Sequence, residues 1–324
     1  MKKLLAITMG DPAGIGPEVI AKALAGHESE CGAIVIGSSE VMKDAVRSLE
    51  ISLKVRRVSS PSEMNPAPGV IELIDVGGKG PFEKGRPTKE GGLISYLAVK
   101  RAVELALEGS VKGIVTAPIS KEAIGMAGLK WPGHTEMLAE LTGTRDFAMM
   151  LVGGKLRVIL VTIHASLKSV PGLITKDSVL KTISLAVGAC KMLGIEEPRI
   201  AVAGLNPHAG EAGRFGDEEE KIISPAISEA MASGIRIGGP YPPDTVFMKA
   251  ARGDFDIVVA MYHDQGLIPL KLLAFDSGVN MTIGLPFIRT SPDHGTAFDI
   301  AWKGKANPSS MTHAISLACG VKVI

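Results

Sequence analysis

The chain has 324 residues, of which 46% are hydrophobic and 21% charged, so it carries enough apolar material for two packed domains or one large one. Its 35 Lys and Arg residues nearly balance 34 Asp and Glu residues, and a net charge of +1 gives no global field for nucleic acid or an anionic membrane. No apolar run approaches the roughly 20 residues that span a bilayer. Neither nucleic acid nor a membrane is therefore expected as a partner.

Strand-like apolar runs alternate with helical segments along the chain, which is typical of βαβ units. The predicted strands lie at residues 4–9, 33–37, 113–116, 156–163, 200–203 and 256–261. The predicted helices lie at about residues 17–25, 40–49, 91–108, 176–193 and 217–233. These elements predict an α/β protein with parallel sheets and helices on both sheet faces. Residues 59–88 are rich in Pro, Gly and charge and are expected to form an irregular excursion or a β-arm.

The three cysteines, Cys31, Cys190 and Cys319, are widely spaced and include no Cys-x-x-Cys pair. An odd number at such spacing predicts neither a disulfide framework nor a zinc site with sulfur ligands. A reducing, cytoplasmic location fits this usage. The N-terminal apolar stretch is too short for a secretory signal core, and we interpret it as the first strand.

Histidines in polar settings follow three of the predicted strands. His164, His208 and His263 each come directly after an apolar run, and the carboxyl ends of parallel strands meet at one edge of a sheet. Three converging imidazoles would form a divalent metal site. The alternative is three histidines that are hydrogen-bonded independently of one another.

The first strand is followed by a glycine-rich loop, residues 10–18, that opens a helix. Its glycines allow close backbone approach, and helix amides favour an anion, although a plain tight turn is an equal alternative. The spacing is not G-x-G-x-x-G, so a Rossmann domain is not supported. Further along, Lys271, Asn280 and Arg289 are isolated polar groups that suit a phosphate or carboxylate, although Lys271 alone has a surface interpretation. The turn at residues 294–297 would expose backbone amides and an imidazole.

Six segments of the chain are long motifs that occur in a defined order. They are Gly10-Asp11-Pro12-Ala13-Gly14-Ile15-Gly16-Pro17-Glu18, Gly133-His134-Thr135-Glu136, Leu205-Asn206-Pro207-His208-Ala209-Gly210-Glu211, Pro243-Asp244-Thr245-Val246-Phe247, Met261-Tyr262-His263-Asp264-Gln265-Gly266 and Gly284-Leu285-Pro286-Phe287-Ile288-Arg289-Thr290-Ser291. Together they closely resemble the 4-hydroxythreonine-4-phosphate dehydrogenase family of vitamin B6 synthesis, over essentially the whole chain. The first loop and residues 294–300 are also similar to motifs of the wider isocitrate and isopropylmalate dehydrogenase fold.

The resemblance implies a fold and a set of site residues. It implies two α/β domains with a cleft between them: a terminal, nucleotide-side domain at 1–130 plus 280–324, and a middle, metal- and dimer-side domain at 131–279. The implied metal ligands are His164, His208 and His263, for one divalent Zn, Mg, Mn or Co ion per subunit, shared across a homodimer. The implied substrate contacts are His134, Thr135, Lys271, Asn280 and Arg289. The residues expected to bind NAD or NADP are Gly14, Gly16, His294, Gly295, Thr296 and Ala297.

The family reaction would oxidise the C3 hydroxyl of 4-phosphooxy-L-threonine and then release carbon dioxide. Asp244 and Asp264 are the candidates for the proton acceptor, and Asp264 has the alternative role of orienting a ligating imidazole. A paralogous activity on 4-phospho-D-threonate or 4-phospho-D-erythronate would use the same residues, and Trp302 favours that catabolic branch. A metal-dependent phosphate-ester hydrolase and a non-enzymatic anion-binding protein are the rival classes.

Overall fold

The computed structural model describes residues 4–26, 31–78, 83–131 and 133–321. The strands are β1 (Leu4–Thr8), β2 (Gly32–Gly37), β3 (Lys54–Val58), β4 (Val70–Asp75), β5 (Gly113–Thr116), β6 (Ala148–Gly153), β7 (Leu156–Leu160), β8 (Ile200–Ala203), β9 (Ile237–Tyr241), β10 (Ile257–Ala260), β11 (Val279–Ile283) and β12 (Ile288–Pro292). The helices are α1 (Gly16–Ala25), α2 (Ser39–Ser48), α3 (Lys89–Leu107), α4 (Lys121–Met126), α5 (His134–Thr142), α6 (Val170–Leu173), α7 (Lys176–Met192), α8 (Ser224–Ala232), α9 (Pro243–Arg252), α10 (His263–Ala274) and α11 (Ser309–Gly320). Within these ranges, no helix combines the length and apolarity that a bilayer span needs.

The chain divides into two compact units. Unit 1 comprises residues 1–145 and 285–320, and unit 2 comprises residues 146–284 and 321–324. Both units combine a sheet with helices, which confirms the predicted α/β class. The divisions at 145/146 and 284/285 differ from the expected ones at 130/131 and 279/280. Helix α5 accounts for most of the first difference, because it packs against α3 and so belongs to unit 1.

The unit 1 sheet has the strand order β3-β4-β2-β1-β5-β12, and its pairings are parallel. Leu5, Ala6 and Ile7 of the central strand β1 are fully buried, as in strands that are covered on both faces. Ala98 and Ala102 of α3 belong to the same apolar core. The loops after β1, β5 and β12 leave the sheet at the carboxyl ends of parallel strands, which is the edge where α/β sheets bind ligands.

The unit 2 sheet has the strand order β11-β6-β7-β10-β8-β9 and mixes strand directions. β10 is parallel to β7 and β8, and β8 is parallel to β9, whereas β6 is antiparallel to both β7 and β11. The predicted parallel pairing is therefore confirmed for β7, β10, β8 and β9 and is wrong for β6 and β11. Gly154 and Lys155 alone connect β6 to β7, with Gly154 at a φ of 58°, and so short a turn joins only antiparallel strands.

Part of the segment at residues 59–88 is more regular than predicted. β4 lies within it and pairs in parallel with both β2 and β3. The strand is hard to recognise in the sequence because Glu72 interrupts its apolar run. Glu72 is nevertheless buried, and Arg56 donates to it from Nε at 3.0 Å, which lowers the pKa of the carboxyl. Residues 79–82 of the expected excursion lie outside the described residues.

Cys31 and Cys319 form a disulfide within unit 1, with their Cα atoms 5.8 Å apart, which corrects the prediction from cysteine spacing. The two residues are separated by 288 positions, so spacing could not indicate the pairing. It follows from the packing of α11 against α1 and β1, next to the start of β2. Cys190 of α7 is a buried free thiol, and burial raises its pKa to about 12.

Candidate active site

The glycine-rich loop after β1 packs directly on the segment after β12, both in unit 1. The Ile15 N–H donates to the Thr296 carbonyl at 3.0 Å. A Cβ at Gly14 would lie 2.9 Å from the same carbonyl oxygen, and one at Gly16 would lie 2.2 Å from that of Met9. Neither position has room for a side chain. The two glycines therefore bring the amide-rich start of α1 beside the predicted nucleotide turn.

The predicted nucleotide turn, residues 294–297, presents a partly satisfied histidine. Its His294 Nδ1 lies 3.1 Å from the Gly295 carbonyl, and its Nε2 is buried without a hydrogen-bond partner among the described residues. Ala297 has a φ of 42°, a left-handed conformation that side chains disfavour. A strained turn with an available imidazole nitrogen fits a ligand-binding segment.

Asp11, to which the sequence assigns no role, is fully buried in the glycine-rich loop. Burial raises its pKa to about 6, against the opposing effect of a hydrogen bond from the Ala13 N–H at 2.9 Å. Its Oδ2 and the Oγ1 of Thr8 are buried without a partner in the part of the chain that the structure describes. The loop therefore contains an ionisable group that titrates near neutral pH.

Arg289, on β12, is 3% exposed and is the buried cation of unit 1 that the sequence singled out. Its Nη2 donates to Thr116 Oγ1 on β5 at 2.7 Å. Burial lowers the pKa of the guanidinium to about 10, while the charge of Glu136 acts in the opposite direction. The group therefore stays cationic at neutral pH, and a buried cation of this kind favours an anionic ligand.

His134 lies within the electrostatic reach of Arg289 at the start of α5. Burial, and then the charge of Arg289, hold the pKa of its imidazole well below the usual range, so the ring is neutral at physiological pH. Its Nε2 is buried and has no hydrogen-bond partner among the described residues. Thr135 follows in the first turn of α5, where backbone amides are available. The structure thus brings two predicted substrate residues together, with a third adjacent in the chain.

Two of the three predicted metal ligands lie side by side in unit 2. The rings of His164, beyond β7, and His263, the first residue of α10, have centroids 5.8 Å apart. Two imidazoles that bind one ion at about 2.0–2.1 Å have centroids about 5–6 Å apart, so this pair fits a shared ion. His208 lies in the 3-10 turn Pro207–Gly210, with its ring centroid 6.2 Å from that of Phe215.

The full ligand triad is not assembled within one chain. Across the described ranges, no three His, Cys, Asp or Glu side chains are grouped closely enough to hold an ion. The pair His164 and His263 supplies two imidazole nitrogen ligands, which suits a transition-metal ion with further positions open. A third ligand must come from elsewhere if the site is to reach the predicted donor set.

The two candidate carboxylates, Asp244 and Asp264, line one groove of about 660 Å³ formed by α9 and α10. The sequence placed them in polar loops, but each lies in the first turn of a helix, where the helix dipole favours an acidic residue. Asp264 Oδ1 lies 2.7 Å from Nδ1 of His263. This contact leaves Nε2 of His263 available to a metal.

The remaining predicted substrate residues, Lys271 and Asn280, belong to unit 2. Lys271 lies in the last turn of α10 and is partly buried. Asn280 lies in β11, and its Oδ1 is buried without a hydrogen-bond partner among the described residues. His134, Thr135 and Arg289, by contrast, belong to unit 1.

The model of the family described as "Pyridoxal phosphate biosynthetic protein PdxA" matches residues 29–318. The chain belongs to this family. It is 50% identical over 327 residues to a D-threonate 4-phosphate dehydrogenase of Pectobacterium atrosepticum, covering 98% of the chain and 99% of the relative. It is 51% identical over 322 residues to a 4-hydroxythreonine-4-phosphate dehydrogenase of Desulfosudis oleivorans, covering 98% and 95%.

A solved structure gives the same assignment. The crystal structure of 4-hydroxythreonine-4-phosphate dehydrogenase from Klebsiella pneumoniae has a TM-score of 0.92 at 48% identity, covering 99% of the chain and 98% of that protein. The relatives that match over full length carry dehydrogenase names. The predicted family and the predicted oxidoreductase class are therefore confirmed.

In this PdxA-family chain, the sequence interpretation missed residues that connect the predicted ones. Gln265 is the clearest: its Oε1 accepts from the Met261 N–H and its Nε2 donates to the Gly204 carbonyl, each at 2.7 Å. It thereby ties the turn before His263 to the segment that leads to His208. A buried amide directly after His263 and Asp264, just before the apolar part of the helix, was the available signal.

Proposed function

We propose that the protein is an NAD(P)- and metal-dependent dehydrogenase that oxidises the C3 hydroxyl of 4-phosphooxy-L-threonine, giving a 3-oxo acid that loses carbon dioxide. The observation that carries the proposal is the buried, cationic Arg289 beside the neutral His134, in a chain of the PdxA family. A rigid buried cation provides a charge anchor for a phosphorylated acid. This chemistry corresponds to the pyridoxine-biosynthesis branch of the family.

The substrate and cofactor would be held by residues with distinct tasks. Arg289 would bind an anionic end of the substrate, and His134 would offer a neutral ring nitrogen to a substrate oxygen. Thr135 would add its hydroxyl, and Lys271 and Asn280 complete the proposed contacts. The residues proposed for NAD or NADP are Gly14, Gly16, His294, Gly295, Thr296 and Ala297.

His164, His208 and His263 would hold one divalent ion of zinc, magnesium, manganese or cobalt. An ion bound there supplies Lewis acidity at the C3 oxygen of the substrate. Asp264 would fix the ring of His263 so that Nε2 faces the ion, as its contact with Nδ1 supports. Asp244, exposed in the same groove, would accept the hydroxyl proton.

The active unit in this proposal is a homodimer in which one metal ligand comes from the partner. Among the residues that the structure describes, no third ligand joins the His164–His263 pair, which supports this arrangement with His208 as the crossing residue. The groove beside Asp244 and Asp264 is also rich in exposed apolar side chains, as dimer faces are. These side chains are Met248, Ile268, Leu272 and Leu273.

Subunit complementation tests the shared site. His208→Ala and Arg289→Ala proteins, each inactive, are mixed under conditions that exchange subunits. If the sites are shared, hybrid dimers regain one intact site and activity reappears. Hybrids that form without recovering activity would show that each subunit carries its whole site.

The second candidate substrate is 4-phospho-D-threonate or 4-phospho-D-erythronate, and the relative from Pectobacterium atrosepticum specifically favours it. The compounds differ from the first substrate at C2, which carries a hydroxyl in place of an amino group. The deciding experiment compares kcat/KM for both substrates, each with NAD and NADP, with and without a chelator. Turnover of neither substrate, in protein shown to be folded and loaded with metal, would reject the proposed reaction.

A further inference from the structure

The turn that carries His208 has an unusual backbone. Its non-glycine residues His208, Ala209, Glu211 and Ala212 have φ values of 53°, 53°, 44° and 55°. The left-handed region is unfavourable for residues with a Cβ, and such residues normally occur singly. A run of this kind persists only where surrounding groups hold it, and it often marks a functional segment.

The group that holds this turn is the carboxylate of Glu219, which is 3% exposed. Its Oε1 accepts from the backbone N–H groups of Leu205 and Asn206, both at 2.7 Å. Its Oε2 accepts from Nδ2 of Asn206 at 3.0 Å. These residues immediately precede Pro207-His208, so three charge-assisted hydrogen bonds fix the entry to the turn.

The turn also closes tightly around the same carboxylate. A Cβ at Gly204 would lie 3.1 Å from Oε1 of Glu219, and one at Gly210 would lie 2.8 Å from Oε2. Glycines on either side of His208 therefore let the backbone wrap the carboxylate. The carboxylate of Glu219 is therefore approached by the backbone both before His208, at Gly204, and after it, at Gly210.

Glu219 is itself held in place by local structure. It begins a π-helical turn, Glu219–Ile223, that continues into α8, and π-helical turns are frequent at functional sites. The entry to the turn is also tied to the His263 segment, since Gly204 accepts the hydrogen bond from Gln265. One hydrogen-bonded network therefore connects the segments of two proposed metal ligands.

We propose that Glu219 is a positioning residue that holds the His208 turn in the conformation its imidazole needs to bind the metal. This inference rests on the proposed metal-dependent function. A residue that only stabilised the fold would change the unfolding temperature of the metal-free protein and leave its intrinsic metal affinity intact. A positioning residue changes the affinity and the geometry of the bound metal.

The test compares Glu219→Gln with Glu220→Gln, which makes the same charge change at the exposed neighbouring position. Glutamine can keep an acceptor oxygen for the N–H groups of Leu205 and Asn206, but its amino group then faces the Nδ2 donor of Asn206. The dimeric proteins are stripped of metal, and their affinity for Zn²⁺ is measured by competition with a chelator. We expect Glu219→Gln to bind Zn²⁺ at least about 10-fold more weakly, as for other residues that orient metal ligands, and Glu220→Gln to match the wild type.

Substitution by Co²⁺ supplies a spectroscopic readout. We expect the visible absorption of bound Co²⁺ to change in Glu219→Gln and to remain unchanged in Glu220→Gln. If Glu219→Gln does not fold, Asn206→Ala decides, because it removes the Nδ2 hydrogen bonds to Glu218 and to Oε2 of Glu219 and leaves the Glu219 carboxylate with its two backbone donors. It should weaken Zn²⁺ binding by less than Glu219→Gln does. Wild-type Zn²⁺ affinity and Co²⁺ spectra in the folded variants would overturn the inference.

His208→Ala, measured in parallel, separates this inference from the proposed function. If His208→Ala binds Zn²⁺ as the wild type does, the proposed ligand set is wrong. If His208→Ala loses binding while Glu219→Gln keeps it, only the role of Glu219 is wrong. Loss of affinity in both, with Glu220→Gln unaffected, supports both.

Discussion

In unit 1 the side chains proposed to bind substrate charge are buried, whereas two of the histidines proposed to bind a metal in unit 2 stand at the surface. Arg289 is 3% exposed and Thr116, its hydrogen-bond partner, is fully buried. His164 is exposed, and the side chain of His263 is 33% exposed beside the 72% exposed Asp264. Arg289 is held by neighbouring strands of the unit 1 sheet, whereas His164 and His263 remain partly open to solvent.

The difference shows how much of the proposed anion site and of the proposed metal site is formed within one chain. Arg289 keeps its charge although burial lowers its pKa to about 10, so a fixed cation is in place before substrate arrives. The histidine pair supplies only two of the three proposed metal ligands, with ring centroids 5.8 Å apart. A change at Arg289 should therefore act on substrate affinity, and a change at the histidine pair should act on turnover.

The largest expected effect is on the metal ligands of unit 2. His164→Ala removes one nitrogen of the pair, and we predict a fall in kcat on the order of 10³-fold, since a catalytic metal contributes several kcal/mol to the transition state. NAD(P) affinity, measured by fluorescence titration, should stay unchanged. His313→Ala is the matched control, because His313 is an exposed histidine on α11 whose Nδ1 lies 2.7 Å from the Ser309 carbonyl one turn earlier. Equal turnover in the two variants would contradict the ligand assignment.

The disulfide makes the second comparison between the units, because it lies in unit 1 alone. Reduction, or Cys31→Ala, should lower the free energy of unfolding of unit 1 by about 2–5 kcal/mol, since the bond closes a very long loop. Chemical denaturation with and without reductant measures the effect. Cys190→Ala controls for thiol chemistry elsewhere. An unfolding midpoint that does not respond to reductant would mean that the bond contributes nothing.

The sequence predicted the strands and helices that have clean periodicity and missed those that tertiary contacts decide. β4 was missed because its buried Glu72 needs Arg56 as a partner, and no local pattern shows that pairing. The antiparallel β6 was missed although Gly154 marked its turn, because its apolar run resembles a buried parallel strand. The Cys31–Cys319 bond depends on how α11 packs.

The candidate site shows the same division. Arg289, His164 and His263 were readable because each follows an apolar run, and the two histidines do so at equivalent strand ends, whereas the role of His134 came from the family resemblance. Their partners were not readable. Thr116 and Gln265 are ordinary polar residues whose roles arise from strand neighbours and helix packing, and these contacts are set by the fold rather than by spacing.

The third prediction concerns Asp11 in unit 1. Its folded-state pKa of about 6 lies above the ordinary value of 3.8, so the folded protein binds this proton more tightly than the unfolded chain does. The stability that this proton contributes is fully present below about pH 4 and is lost as pH rises through about 6. The free energy of unfolding therefore falls by up to about 3 kcal/mol over this range. Asp11→Asn should therefore stabilise the protein at pH 8 and not at pH 4.

Urea unfolding at the two pH values measures this difference. Asn keeps an oxygen that can accept from the Ala13 N–H, so the loop geometry is retained. Asp299→Asn, at an exposed position of the same unit, is the control for the change in net charge. A stability difference between Asp11→Asn and the wild type that does not vary with pH would exclude a carboxyl that titrates near neutral pH.

The smallest expected effect distinguishes the two units most sharply. Arg289→Lys keeps the positive charge but replaces a planar fork of donors by a point donor, and it loses the geometry of the bond to Thr116. We predict a KM for the phosphorylated substrate about tenfold higher, the equivalent of one hydrogen bond to a charged group. The KM for NAD(P) and the affinity for Zn²⁺ should not change, whereas His164→Ala should lower kcat and Zn²⁺ affinity. Arg57→Lys, at an exposed ion pair with Asp75 in the same unit, is the matched control. An unchanged substrate KM in Arg289→Lys would place this arginine outside the substrate site. A loss of kcat alone would assign it to the oxidation step instead of substrate binding.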